Sequence, residues 1–468
     1  MIGFVVNFDS SNGPKYIQLY EYIKKEIELG TLKSEEKLPS VRSLSKMLNV
    51  SKVTVENAYR QLEVEGYIQS KRKSGYYVTE LPSDELLHFR QRPSIRVDSN
   101  RHKPLDRLFN TDGTEANAFN FHEWKKSVNR VLDYDTKSLL AYGDPQGEYI
   151  LRAEIAKYVH QSRGCICTPE QIVIGAGIQY LFGLIATGFK SDSMKIAFEY
   201  PGFSKGMFVF EDYGFEMKKI PLEKDGIDIK LLESSNANMV YVSPSHQYPT
   251  GSVMSIKKRL QLLEWAKKKN AYIIEDDYDS LLRYEGYPVP ALQGLSEGEQ
   301  VIYVGSFSKL LIPAIRISFM ILPEPLINQF DRVLKRYSQS VSKIEQLALV
   351  NFMMEGSFEK HIRKIRKIYG KKNQRLKEAF KRHEHELVTL VGSDSGLHVT
   401  LSFHEKVMVP AVIDACHGKG IILEEIVGYR QGNIVVFSYS GVPDDKMDEV
   451  VFTLLSIVKE HLKQNATN

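Results

Sequence analysis

Six short runs rich in β-branched and aromatic residues recur along most of the chain: QIVIG (171–175), KIAFE (195–199), MVYVS (239–243), YIIED (272–276), VIYVG (301–305) and RISFM (316–320). Helical patterns such as IKKRLQLLEWAKKK (256–269) lie between them. Strands that alternate with helices in this way pair side by side and return through crossovers, which predicts an α/β layer structure with a mostly parallel sheet. A charged amphipathic stretch, SFEKHIRKIRKIYGKKNQRLKEAFKRH (357–383), then leads into a smaller C-terminal α+β region. Its cations read either as a second basic surface or as a solvated helix face.

At 468 residues the chain is long enough for two to three compact units with ample core. Three cysteines, Cys165, Cys167 and Cys416, are too few and too poorly spaced for a disulfide framework or a four-ligand zinc site. No charged-then-apolar leader opens the sequence, and no apolar run approaches the ~20 residues that span a bilayer. The expectation is a cytoplasmic protein with no membrane partner.

Charge is unevenly placed. The net value is only +4, yet between Lys37 and Val78 eight lysines and arginines stand against three glutamates. Residues 1–80 read as one compact unit of helical patterns ending in a hairpin, 81–103 as a polar, proline-broken linker, and 104–468 as the α/β unit. Within the first, Ser40 is placed to cap a helix that turns Leu44 and Leu48 inward, and a tight turn follows at Asn49 to Ser51. The next helix buries Val55, Ala58 and Leu62 and leaves Ser51, Lys52, Thr54, Asn57 and Arg60 outward. Short hydroxyls and long cations near a helix N-terminus suit entry into a DNA major groove. YIQSKRKSGYYV (67–78) alternates like a strand pair turning at Gly75. The competing reading of these patterns is a solvated helical hairpin without a ligand.

A second site-like stretch is GSFSKLLIPAIR (305–316), in which Lys309 follows a buried strand with Ser306, Ser308 and Arg316 around it. An amine for a carbonyl and donors for a phosphate are what pyridoxal 5'-phosphate requires, together with an acid for its ring nitrogen. YIIEDDYDS (272–280) supplies Asp276 for that nitrogen and Tyr278 for the ring oxygen. The adjacent carboxylates Glu275, Asp276, Asp277 and Asp279 also admit a metal cluster, although consecutive strand residues alternate faces and do not converge. In IVIGAGIQYLFG (172–183) glycines between a strand and a helix leave free N–H groups near Ala176 to meet a phosphate.

The stretches Y-x-Q-L-Y-x-x-I-K (16–24), KLPSVRSLS (37–45) and VSKVTVENAYRQLEVEGYI (50–68), with the hairpin behind them, closely resemble the GntR-type winged helix-turn-helix. That resemblance implies contacts to double-stranded DNA from Ser40, Arg42, Ser51, Lys52, Thr54, Lys71, Lys73 and Gly75. YGDPQGEYILRAEIAKYV, GAGIQ, EYPGF, SPSHQYPTG, EDDYDS and GSFSKLLIPAIR, in that order, resemble the fold type I aminotransferases from about Asn120 onward. Joined in one chain the two look like the MocR subfamily, which includes GABA-responsive and pyridoxine-synthesis regulators. The resemblance implies Lys309 as the Schiff-base lysine, Asp276 as the pyridinium partner, Tyr278 at the ring oxygen and Phe203 stacked on the ring. It implies Ala176, Gly177, Ile178, Ser306, Ser308 and Arg316 as the phosphate cradle, and Tyr142 as a tyrosine reaching the neighbouring subunit's phosphate. A head-to-tail homodimer and an operator of paired half-sites follow from it.

Three positions depart from the enzyme pattern. Tyr248 stands where asparagine usually holds the ring oxygen, Ile178 where a hydroxyl often helps the phosphate, and Asn433 where an arginine usually grips a substrate carboxylate. Lys205 and Arg430 are the substitutes for that grip. The expectation is a regulator that senses an amino compound or the cofactor itself through an imine at Lys309. A working aminotransferase with an autoregulatory head is the alternative, and a cofactor-free scaffold the third reading.

Overall fold

The computed structural model describes residues 6, 8, 13–72, 74–80, 109, 111, 115, 118–190, 194–284, 289–383, 386–392, 395–426 and 433–462. The linker expected at 81–103, Lys73 and Arg430 lie outside the described residues. The chain forms two compact units, Met1–Pro104 and Leu105–Asn468.

In the first unit, helices α1 (Lys15–Glu28), α2 (Val41–Met47) and α3 (Lys52–Val64) precede a hairpin of β1 (Ile68–Lys71) and β2 (Gly75–Val78). Leu19, Ile23, Leu44, Val55, Ala58, Tyr59 and Leu62 close one core between the helices. Ser40 and Ser51 open α2 and α3 as N-caps, accepting from Ser43 N at 3.2 Å and Thr54 N at 3.1 Å. The turn between them passes through Asn49 at φ +50°, a left-handed conformation that asparagine tolerates well. Tyr59 OH donates to Pro39 O at 2.8 Å, fixing the entry of α2 against α3.

The second unit is built on an eight-stranded sheet. Its strands are β3 (Ile172–Gly175), β4 (Lys195–Tyr200), β5 (Glu216–Glu223), β6 (Gly226–Ile227), β7 (Met239–Val242), β8 (Tyr272–Asp277), β9 (Val301–Ser306) and β10 (Ser318–Ile321). They lie in the order β3-β10-β9-β8-β7-β4-β5-β6. Strands β9, β8, β7, β4 and β5 run parallel, while β10 is antiparallel to both of its neighbours. Apolar clusters cover both faces, which is why these strands read as near-continuous apolar runs.

A smaller antiparallel sheet, β11 (Val388–Gly392), β12 (His398–Phe403), β13 (Leu423–Glu425) and β14 (Ile434–Ser438) in the order β11-β12-β14-β13, packs with helices Val409–Gly418 and Met447–Glu460. The basic helix Ser357–Arg382 buries Phe358, Ile365, Tyr369, Leu376 and Phe380 at helical spacing and leaves most of its lysines and arginines exposed. Arg375 pairs with Asp444 at 2.7 Å, and Arg382 pairs with Asp448. Among the described residues no helix is long and apolar enough to cross a membrane.

Candidate cofactor and DNA sites

Parallel strands deliver the residues that follow their C-terminal ends to one edge of a sheet, where open α/β folds bind ligands. Here that edge collects Glu199 from β4, Tyr241 from β7, Asp276 from β8 and Ser306 from β9. The register sets Ser318 of β10 opposite both Gly175 and Ser306, so one row crosses three strands.

Asp276 is 5 % exposed. Its Oδ2 accepts from Tyr241 OH at 2.5 Å, while the buried Oδ1 has no partner among the described residues. Burial, with the nearby Asp277, Asp279 and Glu275, outweighs the Tyr241 hydrogen bond and pushes the Asp276 carboxyl up to about 7. A cationic ring N–H would satisfy the orphaned oxygen and favour the carboxylate. The neighbouring acids have separate tasks. Glu275 accepts from Leu292 N and Gln293 N at 2.7 and 2.8 Å. Asp277 takes Arg163, Tyr303 OH at 2.6 Å and Ser280 N at 3.3 Å. Burial works against its charge, yet Arg163 and these donors hold the Asp277 carboxyl below its usual value.

Asp279 holds His246 through Nδ1 at 2.8 and 2.9 Å, and Tyr278 OH lies 3.0 Å from the same nitrogen. The histidine of SPSHQYPTG is thus a partnered structural group behind Tyr278. Phe203 stacks on Tyr241 at 6.4 Å between centroids, and Tyr248 stands edge-on to Phe203.

The cradle is equally specific. Gly177, at φ +96°, opens helix Ile178–Gly188, and a Cβ there would fall 2.2 Å from Arg316 Nη2. Only glycine lets the guanidinium lie that close to the helix N-terminus, where backbone N–H groups and the helix dipole favour an anion. Arg316 itself adopts φ +50°. Ser306 Oγ accepts from Ser318 Oγ at 3.0 Å and Ser308 N at 3.3 Å, and buried Ser308 Oγ has no partner among the described residues. Ala176 N donates to Ser340 Oγ at 3.0 Å. Two orphaned buried oxygens, an anion cradle closed by Arg316 and an exposed lysine after β9 fit pyridoxal 5'-phosphate.

Lys309 is exposed; burial foremost, then His246 and Lys309, hold the His398 imidazole well below its usual value. Ile178 is half-buried at the helix start, Lys205 is exposed in the first turn of helix Ser204–Asp212, and Tyr142 is 99 % exposed. Sequence reasoning did not find Tyr241, Ser318, Ser340, Glu199 or Arg163 as working parts, and considered Asp279 only as part of a candidate metal cluster. Tyr241 had a usable signal, a phenol inside a buried parallel strand.

In the first unit Ser40, Arg42, Ser51 and Lys52 are exposed at the N-termini of α2 and α3, and Thr54 is half-buried. Ser40 and Ser51 are engaged as caps, accepting from Ser43 N and Thr54 N, and Ser51 Oγ also lies 2.8 Å from Thr54 Oγ1. Gly75 begins β2 at φ +112°, and Lys71 pairs with Glu35 beside it.

Comparison with known proteins matches both units. Residues 15–78 match the bacterial regulatory proteins of the gntR family, and residues 110–450 match aminotransferase class I and II. An HTH-type transcriptional regulator of Bacillus subtilis (strain 168), YdeL, is 40 % identical over 395 residues, covering 84 % of each chain. The probable rhizopine catabolism regulatory protein MocR of Rhizobium meliloti is 31 % identical over 462 residues, covering 95 % of this chain and 93 % of that one. The fold also matches the crystal structure of a multiple substrate aminotransferase from Thermococcus profundus, with a TM-score of 0.69 over 78 % of this chain and 96 % of that one at 24 % identity. The chain therefore belongs to the MocR subfamily of GntR-type transcriptional regulators, in which a DNA-binding winged helix-turn-helix shares one polypeptide with an aminotransferase-like domain that takes pyridoxal 5'-phosphate.

Proposed function

We propose that this regulator senses an amino compound, or the cofactor itself, at Lys309, and converts its occupancy into a changed grip on an operator of paired half-sites in the cytoplasm. The observation that carries the sensing site is the buried, unpartnered Asp276 Oδ1 at the sheet edge that also presents Ser306. When bound, pyridoxal 5'-phosphate supplies an aldehyde that condenses reversibly with primary amines, so its state reports which amine is present. In this reading Asp276 holds the ring nitrogen, Tyr278 the ring oxygen and Phe203 the ring face. Ala176, Gly177, Ile178, Ser306, Ser308 and Arg316 hold the phosphate. Lys205 and Arg430 are the candidates for any effector carboxylate. Units 1–80 and 104–468, joined by 81–103, divide the reading and the sensing.

The DNA contacts fall to Ser40, Arg42, Ser51, Lys52, Thr54, Lys71, Lys73 and Gly75. Exposure supports a homodimer, since Phe121, Tyr134, Leu140, Tyr142 and Tyr149 are all more than half exposed in one stretch of sequence, and the subfamily resemblance implies a head-to-tail arrangement. Tyr142 would then complete the partner's phosphate site. An effector needs only to bind one arrangement of the heads better than another to shift the equilibrium. The second reading, a working aminotransferase with an autoregulatory head, is favoured by Lys309, Asp276 and Tyr278, which stand where the enzymes carry their lysine, ring-nitrogen acid and ring-oxygen tyrosine, and is weakened by the departures at Tyr248 and Ile178. The test is an absorbance spectrum of the full-length protein with added pyridoxal phosphate, borohydride reduction, and peptide mapping. Label on Lys309 and an amine-dependent change in operator affinity support the sensor. Sustained conversion of an amino donor and a keto acceptor supports the enzyme, and no label removes both.

A further inference from the structure

Side chains alternate along β12 and β14, so His398 and Thr400 share one face of the small sheet with Ile434, Val436 and Ser438. Glu424 of β13 pairs with Val436 and joins that face. It meets the Tyr248–Pro249 turn through two hydrogen bonds: Thr400 Oγ1 donates to Pro249 O at 2.9 Å, and Tyr248 OH donates to Glu424 Oε2 at 2.7 Å. The Tyr248 ring stands 6.2 Å from Tyr278 and 5.5 Å from His398, the imidazole on which Lys309 acts. One tyrosine ring thus separates the Glu424 carboxylate from the aromatic group around the amine-receiving site.

Asn433 is out of phase with Ile434 and donates to His404 O at 3.4 Å, so it does not belong to this face. Ile434 and Val436 are buried together with Ile426. Among the described residues, the face over the site carries one acid, Glu424, and no lysine or arginine. A carboxylate brought there meets a like charge, whereas an ammonium meets an exposed acceptor already steered by a phenol.

We propose that Glu424, positioned by Tyr248, selects the effector, and that the effector is an amino compound whose far end is a second, cationic nitrogen, as in a short aliphatic diamine. This rests on the reading that amines are received at Lys309. It assigns the chemistry opposite to that of a carboxylate-gripping residue, and it gives Tyr248 a role that the asparagine of the enzymes would not fill.

The test uses full-length protein loaded with pyridoxal phosphate. Absorbance is titrated with 1,4-diaminobutane and 1,5-diaminopentane against 4-aminobutyrate and 5-aminopentanoate, in wild type, Glu424→Gln and Glu424→Arg. Diamine midpoints about tenfold below those of the amino acids of equal chain length are expected, about the combined worth of one exposed attraction gained and one like-charge repulsion avoided. Glu424→Gln should bring the two classes to within about threefold, and Glu424→Arg should invert the order. Equal or better binding of the amino acids by wild type overturns the proposal, as does a preference unchanged in Glu424→Gln, or a loaded protein whose spectrum no diamine alters. If Glu424→Arg fails to fold, the other two proteins decide. Absence of the cofactor band itself is a different failure, that of the sensing site.

Discussion

A buried carboxylate oxygen without a donor costs free energy in the cofactor-free chain, and Asp276 Oδ1 is such an atom. With its folded value raised from 3.8 to about 7, Asp276 keeps a proton that the unfolded chain has released. Folding therefore takes up a proton across that window, and stability falls as pH rises through it. Glu199 and Glu275, each pushed up to about 7 mainly by burial, act in the same direction. The cofactor-free protein should lose melting temperature between pH 5 and pH 7.5, and added pyridoxal phosphate should flatten the slope; Asp276→Asn should lessen the slope and abolish the cofactor's effect on it. Gly177→Ala places a methyl group against Arg316 at a positive φ, a strain of about 1–3 kcal/mol. Cofactor retention on dialysis should drop about tenfold or more with far-ultraviolet dichroism unchanged. The sequence shows Lys309, Asp276 and Tyr278 because each follows or ends an apolar run that marks its strand. It does not show Tyr248 with Glu424, 176 positions apart, because nothing local encodes that meeting.

At the scale of elements, β8 is held in phase by what lies on its other face. Arg163, in the last turn of helix Tyr149–Arg163, pairs with Asp277 and donates to Ser245 Oγ at 2.6 Å. Arg163→Leu leaves Asp277 charged, buried and unpaired, and should destabilise the second unit by about 3–5 kcal/mol. Chemical denaturation followed by tryptophan fluorescence reads this directly, since Trp124 and Trp265 both lie in that unit. A charge-preserving substitution, Arg163→Lys, should recover part of the loss. Strands with two covered faces were legible as apolar runs. Strand β5 was not, because EMKKIPLE carries charge on a half-exposed ribbon beside the two-residue edge strand β6. Nor does composition tell the direction of a strand: RISFM reads like its neighbours, yet β10 runs against them. The individual strands β11 to β14 were legible only as a mixed C-terminal region.

For the whole molecule, the proposed sharing of a site between two chains predicts complementation. Lys309→Ala and Tyr142→Ala proteins, each poor in cofactor retention alone, should regain about a quarter to a half of the wild-type sites when refolded together, because a mixed dimer contains one site with both residues intact. Borohydride labelling of the mixture counts those sites, and no recovery argues that Tyr142 serves its own chain. Two units were expected from the polar, proline-broken stretch 81–103 and from the strand runs that begin only after it. The antiparallel strand β10, lodged between β3 and β9, has a further effect. Gly175 joins Ser306 and Ser318 only when β3, which ends at Gly175 while β9 begins at Val301, has entered the same sheet, a non-local pairing whose loop closure comes late in folding. A ligand that recognises only that finished row stabilises the native state by mass action and gives nothing to partly folded chains. Cofactor supply should then govern abundance: in a cell starved of pyridoxal phosphate, proteases should shorten this regulator's lifetime, and pulse-chase half-lives with and without cofactor precursor feeding would measure how much.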